Sequence, residues 1–281
     1  MARSTAESRR KARIKAGFSI YYVIFFIFVY GPMFAMFTLS FQGPRGGVTF
    51  PMRGFSFYWW EKLTGPSAVG DLKASLVRSL ILAVIVMIIT ALFSTMLAMA
   101  FRKRFRGSGA LFYAVMAGLM VPGTLLSLGL ATMLRQVGIP PNWWSSGLAV
   151  HVVWTLPFGF LVMMAVFNRF DARLEEAARD MGADEWTVFK EITLPLILPG
   201  IVAAGLFGFT LSYDEFARTL QTAGPQNTLP LEIWSMTLNV TSPSLYALGT
   251  VTTIISFIII GTALGAIVLI QKRRGARANG H

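Results

Sequence analysis

A charged segment passes directly into an apolar one between residues 171 and 213, which read DARLEEAARDMGADEWTVFKEITLPLILPGIVAAGLFGFTLSY. Residues 171–191 hold seven of the chain's 13 acidic residues, whereas residues 192–213 contain no Asp, Glu, Lys or Arg. A bilayer core about 30 Å thick is crossed by roughly 20 apolar residues of α-helix. The apolar half therefore predicts a transmembrane helix, and the charged half predicts a structured segment at one of its ends.

The whole chain has the composition of a membrane protein, with 54% hydrophobic and 14% charged residues and a mean hydropathy of +0.60. Besides residues 192–213, the windows without charged side chains are 18–41, 79–101, 107–134, 146–168 and 245–271. Each is long enough to cross a bilayer once. We predict an all-α polytopic membrane protein with six transmembrane helices, in which residues 18–41 form the first helix and residues 79–271 form a core domain with the other five.

Basic residues indicate which helix ends face the cytoplasm, because short loops rich in Lys and Arg stay inside. With the N-terminus inside, the inner segments hold 18 basic residues and the outer segments hold seven. This predicts that the basic tails at residues 1–17 and 272–281 are both cytoplasmic. The first helix is too long for a signal peptide, so we interpret it as a retained anchor. The net charge of +12 then reflects topology and affinity for anionic lipid, and we do not expect nucleic-acid binding.

The predicted outer segment at residues 42–78 is too long for a simple turn. It contains a run of aromatic residues that suits a short helix at the membrane interface: Phe55, Phe57, Tyr58, Trp59 and Trp60. An aromatic membrane anchor and a docking surface for a periplasmic partner are both open interpretations. The basic N-terminal tail and the Trp143-Trp144 pair receive no assignment beyond the lipid interface.

The charged segment has helical periodicity. Apolar residues recur at positions i, i+3, i+4 and i+7 as one stripe of a short helix: Leu174, Ala177, Ala178 and Met181. Asp171 is placed to cap this helix and Gly182 to end it.

Asp184 is a candidate N-cap for a second short helix, which precedes Leu194-Pro195 at the start of the next transmembrane helix. The apolar side of that second helix is Trp186, Phe189 and Ile192. Two such helices predict either a rigid knob that enters a groove on another protein or a connector on the membrane surface.

A motif runs through this segment: Glu176-Ala177-Ala178 is followed after three residues by Gly182, after nine more by Ile192 and after one more by Leu194-Pro195. This pattern, EAA-x3-G-x9-I-x-LP, resembles the EAA loop of ABC-importer permeases. The resemblance implies a MetI-like type I importer permease in which residues 171–194 form the coupling loop that docks into a cytosolic ATPase. The residues that it implicates in coupling are Glu175, Glu176, Ala177, Ala178, Gly182, Ala183, Ile192, Leu194 and Pro195.

The resemblance also implies a set of partners: a homologous permease in a heterodimer, a cytosolic ATPase dimer that binds ATP and Mg, and a periplasmic solute-binding protein. None of the seven Lys residues is followed by Ser or Thr, so the chain has no GxxxxGK[ST] phosphate loop. Zero Cys and two His give little basis for a metal site or for nucleophilic catalysis. We therefore expect a transport subunit without catalytic residues, metal or cofactor of its own.

An acidic pair, Asp214 and Glu215, follows the fifth helix at its predicted outer end. Its chemistry suits the lining of a path for a cationic solute, to which Tyr213 and Trp234 would add cation–π contacts. Two solvated acids at a helix end are the alternative. Residues 212–236 are similar to the C-type permease of spermidine and putrescine importers, and this resemblance implies a polyamine substrate.

Two other classes of protein compete with the importer subunit. Membrane helices that proline can kink or open, as at Pro122-Gly123, and intramembrane acids are typical of a stand-alone secondary transporter of amines or amino acids, although no inverted repeat is evident. An intramembrane enzyme would use Asp214 or Glu215 with His151, although a lone His inside a bundle is more often a packing residue. Copurification of an ATPase is expected for the importer subunit alone.

Overall fold

The computed structural model describes residues 2–64, 71–239 and 242–278, and within them the backbone is largely helical. This confirms the predicted all-α class. In chain order the helices are α1 (Ala2–Leu39), α2 (Tyr58–Thr64), α3 (Leu72–Ala100), α4 (Ser108–Met120), α5 (Gly123–Gln136), α6 (Leu148–Asn168), α7 (Arg173–Asp180), α8 (Glu185–Val188), α9 (Leu194–Tyr213), α10 (Thr219–Thr222), α11 (Leu229–Asn239) and α12 (Ser244–Ala278). Turns of π-helix at Trp143–Gly147 and Phe189–Thr193 lead into α6 and α9.

Among the described residues, five helical stretches are long and apolar enough to cross a membrane: Lys11–Leu39, Leu72–Ala100, Trp143–Asn168, Glu185–Tyr213 and Ser244–Thr262. The predicted span at residues 107–134 consists of two helices, because α4 and α5 are bent by 109° at the break between them. Val121 is extended (φ −74°, ψ 129°) because the ring of Pro122 disfavours helical backbone in the residue before it. Six spans are obtained when this bent pair is counted as one.

The fifth predicted transmembrane helix begins earlier than expected. Residues 185–213 form one helical stretch, whereas the sequence predicted a separate short helix before a transmembrane helix that starts at Leu194-Pro195. Within this stretch α9 itself begins at Leu194. The Leu194 N–H donates to Phe189 O across the wider π turn. In a regular α-helix the ring of Pro195 would clash with the carbonyl four residues earlier, and the π turn stands directly before it. The charged segment is therefore continuous with a membrane helix.

The described residues form two compact units, and the larger comprises residues 71–238 and 255–278. Helices α3, α6 and α9 contact one another along its core. The buried apolar residues of this core include Ala98, Phe160, Met163, Ile197 and Ala204. Thr90 Oγ1 shares a hydrogen bond with Thr155 Oγ1 (2.7 Å), and a Cβ atom at Gly208 would lie only 2.9 Å from Thr90 Oγ1. Glycine thus lets α9 approach α3 closely.

The smaller unit comprises residues 2–64, 239 and 242–254. Its segment between α1 and α2 is organised by the buried side chain of Gln42, which donates to Gly47 O (3.1 Å) and accepts from the Arg53 N–H (2.6 Å). The ring of Phe41 stacks against Trp60 with 5.4 Å between ring centroids. The short helix predicted among the aromatic residues forms at Tyr58–Thr64.

Candidate functional site

The charged segment folds as a short helix, a glycine turn and a second helix. Gly182 follows α7 with φ +90°, a left-handed backbone that side chains disfavour. Its N–H donates to Arg179 O (2.8 Å), and the Ala183 N–H donates to Ala178 O (3.1 Å). These two bonds satisfy the last carbonyls of α7 in the manner of a glycine C-terminal cap. The predicted role of Gly182 in ending the helix is confirmed.

An acidic residue precedes each of the two short helices. Asp184 is the N-cap of α8, and the Thr187 N–H donates to its Oδ1 (3.2 Å). Hydrogen bonding from the Thr187 side chain, followed by that from its backbone N–H, holds the pKa of the Asp184 carboxyl below its usual value. The Arg173 N–H at the start of α7 donates to Asp171 Oδ1 (3.0 Å). The N-cap position of α7 is Ala172, so the cap predicted at Asp171 is displaced by one residue.

The apolar stripe of α7 points away from the rest of the chain. Leu174 is 47% exposed and Met181 is 90% exposed, and Trp186 on α8 is 67% exposed. We call these three side chains the exposed apolar surface. The buried side chain of α7 is instead that of Glu175, which is 6% exposed. A short helix that presents its apolar side outward and buries an acid has a surface available for another molecule.

The Glu175 carboxylate is held by three hydrogen bonds. Arg102 Nη1 and Nη2 donate to its Oε1 and Oε2 at 2.9 and 2.6 Å. Thr193 Oγ1 donates to Oε1 at 2.5 Å. The bonds from Arg102, followed by that from Thr193, hold the pKa of the Glu175 carboxyl below its usual value of 4.5. Glu175 is therefore an ionised group fixed within the chain, and the neighbouring Glu176 is the exposed acid of the motif.

A cavity of about 870 Å³ lies beside this cluster. Its walls are the end of α3, the end of α6, α7 and the π turn before α9. Arg179 Nε donates to Glu185 Oε1 (2.7 Å) across the glycine turn at its rim, and both side chains are exposed. Among the described residues, no group of three His, Asp or Glu side chains is arranged to hold a metal ion.

The two acids after α9 have different surroundings. Asp214 is exposed, whereas Glu215 is 9% exposed. The Arg218 N–H and Nη1 donate to Glu215 Oε1 and Oε2, both at 2.9 Å. Arg218 Cζ lies 3.5 Å from the ring centroid of Trp154 on α6. A Cβ atom at Gly123 would lie 2.8 Å from Arg218 Cζ, so the guanidinium is enclosed between Trp154 and the start of α5.

His151 is a buried packing residue. Its Nδ1 shares a hydrogen bond with Ser212 Oγ (2.7 Å), and its Nε2 shares one with Thr219 Oγ1 (2.8 Å). Both ring nitrogens are therefore engaged with hydroxyl groups that join α6 to the corner after α9. The interpretation of His151 as a partner of Asp214 or Glu215 in catalysis is not supported by these contacts.

The two aromatic residues predicted to line the path have different neighbours. Tyr213 is 8% exposed, and its ring stacks on Phe209 with 5.8 Å between centroids. Trp234 on α11 is 47% exposed, and its ring lies 5.4 Å from that of Phe216. Of this pair, Trp234 presents the more accessible aromatic face.

Four residues of these clusters were missed by the sequence reasoning: Arg102, Thr193, Trp154 and Arg218. Arg102 and Arg218 were counted only as charges that report topology. A signal for Arg102 existed, because Glu175 stands beside the apolar stripe of α7 and a buried acid requires a basic partner. No comparable signal joined Trp154 to Arg218.

Residues 90–275 match the family described as "Binding-protein-dependent transport system inner membrane component". The chain belongs to this family. As an inner-membrane component of such an importer, it is a transport subunit and not an enzyme, and this confirms the resemblance read from residues 176–195. The stand-alone secondary transporter is not favoured by the match.

Curated relatives of this inner-membrane component cover most of its length. It is 32% identical to the spermidine/putrescine transport system permease protein PotC of Escherichia coli strain K12, over 84% of this chain and 88% of the relative. It is 30% identical to PotC of Haemophilus influenzae over 84% and 91%. It is 28% identical to the putrescine transport system permease protein PotI of E. coli over 80% and 81%.

Solved structures show the same fold at low sequence identity. The bacterial ABC transporter that imports the acidic polysaccharide alginate has a chain with a TM-score of 0.68 at 15% identity, covering 92% of this chain and 96% of that one. The MetNI methionine ABC transporter in inward-facing conformations gives 0.58 at 16% identity, covering 71% and 95%. These structures confirm the MetI-like permease architecture, and at such identities they concern the fold alone.

Proposed function

We propose that this chain is the permease subunit of an ABC importer that moves a small cationic solute, a polyamine such as spermidine or putrescine, into the cytoplasm. The observation that carries the substrate class is the 30–32% identity to PotC over 84% of the chain. The exposed carboxylate of Asp214 supports it. A charge pair about 4 Å apart is worth about 4 kcal/mol at an effective dielectric of about 20.

Residues 171–194 couple transport to ATP hydrolysis in this proposal. The exposed apolar surface and Glu176 form the face that docks into the ATPase, where Glu176 pairs with a basic group. Ala177 and Ala178 allow close approach, and the turn at Gly182 sets the angle between α7 and α8. ATP and Mg bind to the ATPase subunits and not to this chain. This arrangement requires both termini to be cytoplasmic, as the distribution of basic residues predicts.

The complete transporter contains four kinds of subunit. A homologous permease pairs with this chain to enclose the path, two ATPase subunits dock inside, and a periplasmic binding protein delivers the solute outside. The solved alginate transporter in complex with its periplasmic protein has the same permease fold and supports this order of assembly. Closure of the ATPase dimer would move α7 and rock the core helices between inward-open and outward-open states.

At the end of α9 that precedes the acidic pair, Asp214 and Trp234 recognise the cation. Glu215 plays a different part, because Arg218 already neutralises its carboxylate. The ring of Trp234 adds a cation–π contact of about 0.5 to 2 kcal/mol to an amine that reaches it. Tyr213 supports this surface through its stacking on Phe209.

Reconstitution of the complete importer in proteoliposomes tests the proposal. ATP-dependent uptake and ATP hydrolysis are measured with binding protein and spermidine, putrescine, a neutral amino acid or an organic phosphonate. We expect stimulation by the two polyamines. Stimulation of uptake and hydrolysis by the organic phosphonate alone would reject the cationic substrate. Failure of an ATPase to copurify with the chain would reject the coupling role.

A further inference from the structure

One carboxylate connects α7 to the ends of the long core helices. Two parallel N–H bonds from a single guanidinium fix both the distance and the orientation of the Glu175 carboxylate. Arg102 lies two residues after the end of α3, and Thr193 is the last residue before α9. Glu175 therefore connects α7 to the end of α3 and to the start of α9, which both line the cavity. We call Arg102, Glu175 and Thr193 the inner cluster.

The third core helix joins the inner cluster through aromatic rings. Arg102 Cζ lies 5.3 Å from the ring centroid of Phe167 and 5.0 Å from that of Phe170. Phe167 is in the last turn of α6, and Phe170 follows that helix. The guanidinium thus lies near two rings at the end of α6 while its Nη1 and Nη2 bind Glu175. A displacement of α7 acts on α3, α6 and α9 together.

The two sides of α7 have opposite properties. Leu174 and Met181 are exposed, while Glu175 is buried and bonded to the core. A helix that was attached only through its flanking turns would tilt when a partner pulled on its outer side. Fixing the inner side to three helices converts the same pull into movement of the core.

We infer that the inner cluster transmits the movement of α7 to the core helices, so that Arg102, Glu175 and Thr193 are positioning residues for coupling. The inference rests on the proposed docking of α7 to an ATPase. It assigns to Glu175 a role distinct from that of Glu176, which faces outward. Removal of the inner cluster should separate hydrolysis from transport without preventing assembly.

The first experiment compares Glu175→Gln with the parental chain in the complete complex. Copurified ATPase, ATP hydrolysis and putrescine uptake are measured on the same preparations. We expect unchanged copurification, continued hydrolysis, and about tenfold less putrescine transported per ATP, because the bidentate charge pair is lost. A transport-to-hydrolysis ratio within about twofold of the parental value would overturn the inference.

A matched control is available in the ion pair that joins α7 to α8. Arg179 and Glu185 form an ion pair of similar length, but both side chains are exposed and the pair spans only the glycine turn. The double variant Arg179→Gln with Glu185→Gln should keep the parental ratio. Thr193→Val, which removes one donor at nearly constant volume, should lower the ratio by about threefold. An unchanged ratio in Thr193→Val counts against the inference even if Glu175→Gln fails to fold.

A distance measurement tests the connection in the chain with its inner cluster intact. The chain has no Cys, so Met181→Cys and Arg104→Cys provide two unique sites for spin labels. Both positions are exposed, and Arg104 lies two residues after Arg102. We expect the same mean distance between the labels in the nucleotide-free and ATP-bound complexes. In Glu175→Gln the distance should differ between the two states.

The two proposals fail in different ways. A mean label distance that changes between states in the parental complex would overturn the inner cluster as a rigid connection, while ATPase binding remained intact. Failure of the parental chain to bind an ATPase would instead reject the coupling function itself.

Discussion

Two arginine–glutamate pairs flank the helical stretch at residues 185–213, and they are built in different ways. Arg102 and Glu175 are 73 residues apart and join separate helices. Glu215 and Arg218 are three residues apart within one corner. The closest nitrogen–oxygen distances are similar, 2.6 and 2.9 Å, so the atomic geometry of the pairs does not distinguish their roles.

The difference lies in what each guanidinium touches besides its carboxylate. In the inner pair the Glu175 carboxylate also accepts a hydrogen bond from Thr193, directly before α9. The Arg102 guanidinium lies near the rings of Phe167 and Phe170. In the outer pair the ion pair itself only shapes the corner, and the contacts with other helices come from Trp154 and Gly123. A local ion pair therefore becomes a tertiary contact through the face of its arginine.

The largest effect is expected from Arg218→Ala. This change leaves the Glu215 carboxylate buried without its charge partner and removes the group that fills the space between Trp154 and α5. Breaking a buried pair from one side costs about 3 to 5 kcal/mol. We expect a large fall in the thermal unfolding midpoint of the solubilised protein, measured with tryptophan fluorescence.

Arg218→Lys separates charge from shape. Lysine keeps the positive charge but loses the planar contact with Trp154. We expect it to recover part of the lost stability. Full recovery would show that charge alone holds the corner and would contradict the importance assigned to the stacked guanidinium.

The next effect concerns transport, and it distinguishes the two neighbouring acids. Asp214→Asn should raise the KM for putrescine by about tenfold with little change in the unfolding midpoint, because this carboxylate is exposed. Glu215→Gln should do the reverse and lower the midpoint while leaving KM within about twofold. Equal effects of the two variants on KM would show that both acids face the solute.

A smaller effect is expected at the glycine beneath the guanidinium. The Cβ atom in Gly123→Ala would lie 2.8 Å from Arg218 Cζ, and we expect a loss of about 1 kcal/mol. Gly129 on the same helix has open space at its Cβ position, so Gly129→Ala should stabilise the protein by about 0.5 to 1 kcal/mol.

A double-mutant cycle identifies the cause of the Gly123 effect. In an Arg218→Ala background the methyl group of Gly123→Ala meets no guanidinium, so its cost should disappear. A cost that persists in this background would place the strain in the backbone at the break between α4 and α5.

The sequence predicted most of the fold because its strongest signals were long and periodic. Apolar windows located the membrane helices, and the positions of Gly182 and Asp184 located the turn between α7 and α8. The angle between α4 and α5 was not predicted, because a window without charges carries no information on the direction of the helix axis. Pro122 marked a kink but not its angle of 109°.

The site was predicted where it consists of local pattern and missed where it consists of long-range contacts. The motif from Glu176 to Pro195 located the helix, glycine turn and helix for which a coupling role is proposed. It did not show that Glu175 binds a residue 73 positions away, because side-chain pairing between distant elements is decided by packing. Glu215 was grouped with Asp214 for the same reason, and only its burial beside Arg218 separates them.

The smallest effect is a pH dependence specific to the inner pair. The pKa of Glu175 lies below its usual value of 4.5, so its stabilising contribution is complete above that value and is lost as the pH falls through the lowered pKa. The stability difference between the parental chain and Glu175→Gln should therefore be constant between about pH 6 and pH 8. Below pH 4.5 it should shrink, as shown by unfolding midpoints measured across the pH range. A difference that begins to shrink already near neutral pH would mean that Arg102 does not hold this carboxylate ionised, and it would remove the electrostatic distinction between Glu175 and the exposed acids of α7.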